Sequence, residues 1–363
     1  MKNVAVFFGG ESVEHDVSIL TGVLTVNALK QTEYNPVPIY ISKDGIFYTG
    51  ESLFETESFK GLNYKKLKRI AFVSPTPVLY YCKGKKLLPL YTISAAINCT
   101  HGGIGENGAL AGFLKFFNIP LASPSVLGSA VCMSKSFTKV VLKGLNVNCL
   151  PYKIIENVGQ LQETDFKFPV IVKPDSLGSS IGIEKAENLE KLKNATFNAL
   201  RYDNVCLIEP CLENFTEINC AAVCVDNEII VSECERPISK TGVLDFTDKY
   251  LVGEREYPAR ISKRLSQKIK NLTKKLYSKL SLRGIIRVDY LISENGEIFV
   301  NEINTTPGSL AYYLFSDSLK DFSKILVCIV KQAEAELSAE KTLIKKYSCS
   351  ILNCGGTKGA KHL

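Results

Sequence analysis

The spacing of apolar and polar positions changes several times along the chain, and each change marks an element. Val4 to Phe8 is an unbroken apolar run, which predicts a buried strand. The helical period over Asp16 to Lys30 predicts a helix, and Val37 to Ile41 a second strand, with Pro38 near its start. Residues 70–92 hold short β-rich runs. Ile93 to Cys99 reads as a buried strand entering a glycine-rich turn, and Ala109 to Phe117 as a helix. This alternation predicts a doubly wound, Rossmann-like unit over residues 1–125. Ala122-Ser123-Pro124-Ser125 then breaks the pattern. Further on, 134–145 and 189–200 read as helices, and 168–173 and 205–209 as strands. Long β segments at 217–225 and 228–233 form a meander about Asp226-Asn227. A polar loop over about 237–256, a helix over 259–282, a hairpin and a last helix over 316–338 complete an α/β (α+β) chain.

The hairpin, Ile285 to Asn304, carries the strongest chemical signal. Asn295-Gly296 favours a two-residue type I′ turn, which needs positive φ at both central residues. With that turn, Asp289 faces Glu302 and Arg287 faces Asn304. Strand side chains alternate between faces, so these four share one face. Val288, Tyr290, Asn301 and Ile303 take the other. Like charges directly across a ladder repel, and a cation between them removes the conflict. Two carboxylates and an amide are oxygen donors, which suit Mg²⁺ better than zinc. The competing reading is a solvated face with an accidental acidic pair.

Composition narrows the function classes. The chain has 363 residues, 45% of them apolar and 22% charged, ordinary for a soluble globular protein of two or three domains. No apolar run reaches the roughly 18 residues of a membrane span, and Val4 to Phe8 is too short for a signal-peptide core. The net charge of +7 is scattered. Its densest patch, Lys65 to Arg69 near Lys83, Lys85 and Lys86, has little aromatic interleaving, which argues against nucleic-acid binding. Twelve cysteines with no CxxC pair and three histidines do not make a zinc framework. Cys220 and Cys224 read as small buried hydrophobes. Reduced thiols and a cytoplasmic location are the expectation.

Two glycine-rich segments follow predicted strands. Lys173 to Ile183 reads KPDSLGSSIGI. Its glycines allow close backbone approach, and Ser179 and Ser180 add hydroxyls. Such a loop can close over a phosphate chain through backbone N–H groups. His101 to Gly108 reads HGGIGENG and contains Gly103-x-Gly105-x-x-Gly108, a dinucleotide fingerprint. The acidic residue expected about 20 positions later is missing, so an NAD-dependent oxidoreductase is the runner-up. The same segment can present N–H groups at a helix start to a carboxylate. Glu14, near the edge of the first strand, could hold an ammonium group. Lys249 and Tyr250 lie in DFTDKY, a polar loop suited to phosphate charge and a lid contact.

In this order, GGESVEHDVS, HGGIGENG, Met133-Ser134-Lys135, VKPDSLGSSIGI, DKYL, RVDY and NEINTTPG resemble the D-alanine–D-alanine ligases of the ATP-grasp superfamily, over about residues 1–340. The resemblance implies an ATP-grasp fold behind an N-terminal Rossmann-like domain. Its domains would be 1–125, 126–215 (central) and 216–345 (C-terminal, metal-binding), with 346–363 a flexible tail. It implies ATP as co-substrate, two Mg²⁺ ions (Mn²⁺ a possible substitute) and a homodimer. Lys135, Lys173, Ser180 and Lys249 would contact phosphates, Glu209 adenine and Glu217 ribose. Asp289, Glu302 and Asn304 would hold the metals. Glu14 would bind the ammonium of the first D-alanine, and His101 would sit near its carboxylate. Arg287 and the Gly308 backbone would stabilise the oxyanion. Glu14, Ser179 and Tyr250 would tie the lid to the donor site.

Three positions depart from the family's pattern. Tyr313-Leu314 stands where the family usually has serine and leucine serving the acceptor carboxylate, with Ser309 able to compensate. Asn214 replaces a glycine, and one extra residue precedes Glu217. Asn107 replaces an aspartate. The expected activity is ATP-dependent ligation of two D-alanines through an acyl phosphate, for peptidoglycan precursors. The alternatives are a D-serine or D-lactate acceptor, or a catalytically silent nucleotide-binding module.

Overall fold

The computed structural model describes residues 1–73, 76–161, 165–238 and 254–348. The predicted strand, helix, strand start of the chain is β1 (Lys2–Gly9), α1 (His15–Leu29) and β2 (Tyr34–Ile41). β3 (Phe47–Thr49), β4 (Lys68–Phe72), β5 (Val78–Lys83) and β6 (Lys86–Asn98) follow, then α2 (Gly103–Glu106) and α3 (Ala109–Phe116). β1 pairs in parallel with both β2 and β6, the Rossmann-like arrangement the alternation predicts. β3, β4 and β5 add antiparallel pairs that close the six strands into a barrel. One run continues without a break into Ile93–Asn98, so β6 is a single long strand.

A second layer holds α4 (Val126–Met133), α5 (Lys135–Gly144), β7 (Lys153–Ile155), β8 (Val170–Pro174), β9 (Glu184–Ala186), α6 (Leu189–Ala199) and β10 (Cys206–Pro210). Its antiparallel order is β7-β10-β8-β9. The third holds β11 (Thr216–Val225), β12 (Glu228–Val231), β13 (Arg236–Pro237), β14 (Arg255–Glu256), α7 (Lys263–Lys279), β15 (Ile285–Ile292), β16 (Ile298–Asn304) and α8 (Leu319–Lys341). Its sheet runs β12-β11-β15-β16, and β13 pairs with β14. Ser134, Asn188, Ser262 and Ser318 cap α5, α6, α7 and α8, each side-chain oxygen accepting a backbone N–H of the first turn. The core of the first sheet is shared with the last elements. Val23, Val26 and Leu29 of α1 join Leu310, Phe322, Leu326 and Val330 in one buried cluster. Among the described residues no helix is long and apolar enough to cross a membrane. The 346–363 tail lies almost wholly outside them.

The hairpin reaches its expected register by an unexpected route. The connection is three residues, Glu294–Gly296, not two: the Ser293 N–H donates to the Glu297 carbonyl, and Gly296 alone takes positive φ. That shifts Ile292 onto Ile298 and Tyr290 onto Val300. An extra residue in β16, Asn301, then restores the pairing, so Asp289 still faces Glu302 and Arg287 faces Asn304. Val288, Tyr290, Val300 and Ile303 fill the apolar face with Ile218 and Cys220 of β11.

The seat of α1 on β1 depends on Gly22. A Cβ there would collide with the Phe8 ring, which is fully buried. Gly22→Ala is expected to lower stability by about 1–3 kcal/mol through overpacking, read as a lower urea midpoint. An unchanged midpoint would contradict this packing.

Candidate active site

Strand pairing assembles one polar face from three strands. β11 places Asn219 opposite Asp289, and Asp289 lies opposite Glu302. Glu217, Asn219, Arg287, Asp289, Glu302 and Asn304 therefore share a face while the other face is core. Asp289 is 1% exposed. Arg287 grips it with Nε to Oδ1 at 2.7 Å and a terminal nitrogen to Oδ2 at 2.8 Å, and Asn304 Nδ2 donates to Oδ2 at 2.9 Å. Burial works against the Arg287 charge, and Asp289 more than compensates. No cluster of three His, Cys, Asp or Glu capable of holding a metal occurs among the described residues. The hard-oxygen set here is two opposed carboxylates and an amide, and it fits a divalent cation of the Mg²⁺ type.

Glu14 stands at the N-terminus of α1 without capping it. Its carboxylate instead accepts a hydrogen bond from Ser179 Oγ, 165 residues away. Gly178 eases this approach, since a Cβ there would crowd both Glu14 oxygens at 3.0 Å. Ser179 and Ser180 both take left-handed backbone, φ 54° and 57°, which L-residues other than Asn and Asp seldom adopt. They turn the loop onto Glu14. Opposite, His101 is 3% exposed with Nδ1 3.0 Å from the Cys99 carbonyl. Burial drives its pKa down to about 4, so the ring is neutral at physiological pH. The HGGIGENG turn does not offer a free N–H at Gly102: Glu106 Oε2 accepts it at 2.7 Å, and Glu106 Oε1 accepts the Thr306 N–H at 3.2 Å. Burial, then the Glu14 charge, push Glu106 up to about 8.

One cavity of about 410 Å³ is lined by Glu14, His101, Ser179, Glu217, Arg287, Glu302, Asn304, Gly308 and Tyr313, while Asp289 is not in its lining. Next to the cavity is a buried charge cluster. Lys173 in β8 and Glu209 in β10 are diagonal neighbours on one sheet face. Glu209, 2% exposed, meets Lys173 at 2.6 Å through one oxygen and Lys139 at 2.7 Å through the other. Burial alone would raise its pKa, and the two lysines hold it below the ordinary value. Lys173 also donates to Asn301 Oδ1 at 3.2 Å, linking the second sheet to the bulge of the third. Lys135 is 7% exposed and donates to the Leu177 carbonyl at 2.5 Å; burial pulls its pKa down. Asp175 fixes that lysine's helix, accepting the Ser136 N–H at 2.7 Å and the Ser134 hydroxyl at 2.5 Å.

Lys135, Lys173, Glu209 and Ser180 thus lie beside the cavity lining rather than in it. Leu314 is 1% exposed and packs in the core. Lys249 and Tyr250 fall outside the described residues. Sequence reasoning missed Lys139, Asn301, Asp175, Arg255 and Glu235. Lys139 had a signal, since Lys135 and Lys139 are four apart on one helix face. Asn301 had none, because its placement follows from the bulge.

Comparison with known proteins agrees with this geometry. Residues 3–124 match the family model "D-ala D-ala ligase N-terminus", and residues 141–330 match "D-ala D-ala ligase C-terminus". The chain belongs to the D-alanine–D-alanine ligase family. A D-alanine–D-alanine ligase of Thermosipho melanesiensis is 36% identical, covering 90% of this chain and 92% of that protein. The crystal structure of the Helicobacter pylori ligase superposes with a TM-score of 0.78 at 30% identity, covering 91% of this chain and 98% of that one. The VanG D-Ala:D-Ser ligase of Enterococcus faecalis superposes with a TM-score of 0.76 at 25% identity, covering 92% and 99%. The ATP-grasp fold and the ATP-dependent ligase class follow from this membership. They leave no place for the dinucleotide reading of Gly103–Gly108.

Removing Glu209 from this ligase would leave two lysines buried without a counter-charge. Glu209→Ala is expected to cost roughly 3–5 kcal/mol. Because the folded pKa lies below the ordinary glutamate value, the contribution is complete above that value. It is lost as pH falls through the folded pKa. Urea midpoints of the two proteins should therefore differ at pH 7 and converge in acid. A gap that persists under acid conditions would contradict the ion-pair account.

Proposed function

We infer that this chain joins two D-alanines to D-alanyl-D-alanine, releasing ADP and phosphate through an acyl-phosphate intermediate. The dipeptide feeds peptidoglycan precursor synthesis. The observation that carries the site assignment is the Ser179–Glu14 hydrogen bond. It seats the glycine- and serine-rich loop on the carboxylate that faces the cavity.

A carboxylate is a poor electrophile, and phosphorylation by ATP activates it. Glu14 would hold the ammonium of the first D-alanine, with neutral His101 near its carboxylate. Lys135 and Lys173 would neutralise phosphate charge, and Ser180 would lie in the lid over it. Glu217 would serve the ribose, and Glu209 would set the lysines at the adenine end of the cleft. Asp289, Glu302 and Asn304 would hold two Mg²⁺ ions, with Mn²⁺ a substitute, supplying charge neutralisation to the phosphates. Arg287 and the Gly308 N–H would stabilise the tetrahedral oxyanion. Lys249 and Tyr250 keep the phosphate and lid roles the resemblance implies. No protein nucleophile is needed: positioning and charge supply the catalysis. The same reading puts the enzyme in the cytoplasm as a homodimer.

The test is phosphate release from ATP with Mg²⁺ and D-alanine, alone and then with D-serine or D-lactate, with products weighed by mass spectrometry. D-alanine alone should give the dipeptide. Product only with another acceptor would move the specificity, and no product with any would overturn the reading. Glu302→Ala should lower kcat at least roughly a hundredfold, because metal charge stabilisation is worth several kcal/mol, while the melting temperature holds. Near-normal turnover would refute the metal assignment. Glu14→Gln should raise the KM of the first D-alanine about tenfold through loss of a charged hydrogen bond, with the KM of ATP unmoved. Equal rises in both would place Glu14 elsewhere.

A further inference from the structure

We propose that Arg255 binds the carboxylate of the acceptor amino acid, over the ring of Tyr313, in the place where the family's pattern has serine. The proposal deepens the function above and rests on it.

An amino acid attacking an acyl phosphate through its free amine still carries a negative carboxylate. The cavity is a poor host for it, since six glutamates, of which Glu106 keeps its proton at neutral pH, line it against two arginines, Arg255 and Arg287. Arg287 gives two N–H donors to Asp289, and the proposed function assigns it to the oxyanion. Arg255 donates one terminal N–H to Glu235 Oε1 at 3.2 Å. A guanidinium has five N–H donors in a planar fork that matches a carboxylate. The Arg255 side chain is 34% exposed, so that fork can still be reached.

Its position is set from three sides. The guanidinium carbon lies 4.6 Å from the Tyr313 ring centroid and 5.3 Å from that of Tyr257. The Tyr257 hydroxyl donates to the Leu314 carbonyl at 2.5 Å. Glu235 is 3% exposed, and its backbone exchanges two hydrogen bonds with Asn219 of β11. The Leu314 side chain is in the core, and its carbonyl accepts the Tyr257 hydroxyl, which fixes the chain beside Tyr313. Tyr313, standing in the serine's place, supplies a cation–π platform to Arg255. A carboxylate is common to D-alanine, D-serine and D-lactate, so this contact selects the acid and not its side chain.

The test is competition in the full-length enzyme between D-alanine and D-alaninamide as acceptors, with D-alanine as donor. D-Alaninamide cannot be phosphorylated, and the two products differ in mass. Wild type should favour the acid strongly. Arg255→Ala should lower the acid-to-amide product ratio at least about tenfold, the worth of a charge-assisted pair, with the KM of ATP unmoved. Arg255→Lys should lie between. General damage to the site would slow both products and spare the ratio. If Arg255→Ala does not fold, Arg255→Lys, which keeps a cation beside Glu235, carries the same test. An unchanged ratio in the folded variants overturns the proposal. Wild type that forms no D-alanyl-D-alanine overturns the ligase reading and this proposal with it.

Discussion

The site depends on Lys173. An ammonium group in the interior must be paired, and removing a partner from a buried ion pair is costly. Lys173 meets that requirement twice, with Glu209 in its own sheet and with Asn301 in the third sheet. It therefore fixes the second layer against the hairpin that carries Asp289 and Glu302. Lys139 shares Glu209 from α5, and Lys135 stands one turn before it. Two buried lysines pair with Glu209, and Lys135 beside them draws on the charges of Glu302 and Asp175 as well. Under the proposed function, a polyphosphate would lie against these lysines.

The second constraint is that an acyl phosphate must be kept from water. Here the answer lies in backbone shape. Two successive serines in left-handed conformation, and a glycine where a Cβ would crowd both Glu14 oxygens, bring the glycine- and serine-rich loop against Glu14. Glu14 belongs to the first structural layer and Ser179 to the second. Under the proposed function, this one hydrogen bond would join closure over the phosphate to recognition of the amino acid.

Much of this was legible in the sequence, for physical reasons. The parallel core follows from uninterrupted apolar runs, and the polar face of the hairpin from period-two alternation. The facing of Asp289 and Glu302 came out right although the turn did not. A three-residue loop replaces the two-residue one, and the bulge at Asn301 cancels the shift. Alternation constrains which residues share a face far more tightly than it constrains turn length. Contacts between distant segments were not legible from the pattern, and the Ser179–Glu14 bond was expected only through the family resemblance. The Lys173–Asn301 bond and the stacking of Arg255 on Tyr313 arise from how layers meet, and nothing local encodes them. Lys139 could have been found from its spacing to Lys135, had burial of that helix face been weighed.

The most direct test of the central claim follows one oxygen atom. D-Alanine labelled with ¹⁸O in its carboxylate is turned over with unlabelled ATP, and the released phosphate is weighed. If the chain activates the donor as an acyl phosphate, each phosphate carries one oxygen from the amino acid. Phosphate that carries none would mean that ATP is split by water or that the donor is activated another way, and would contradict the account.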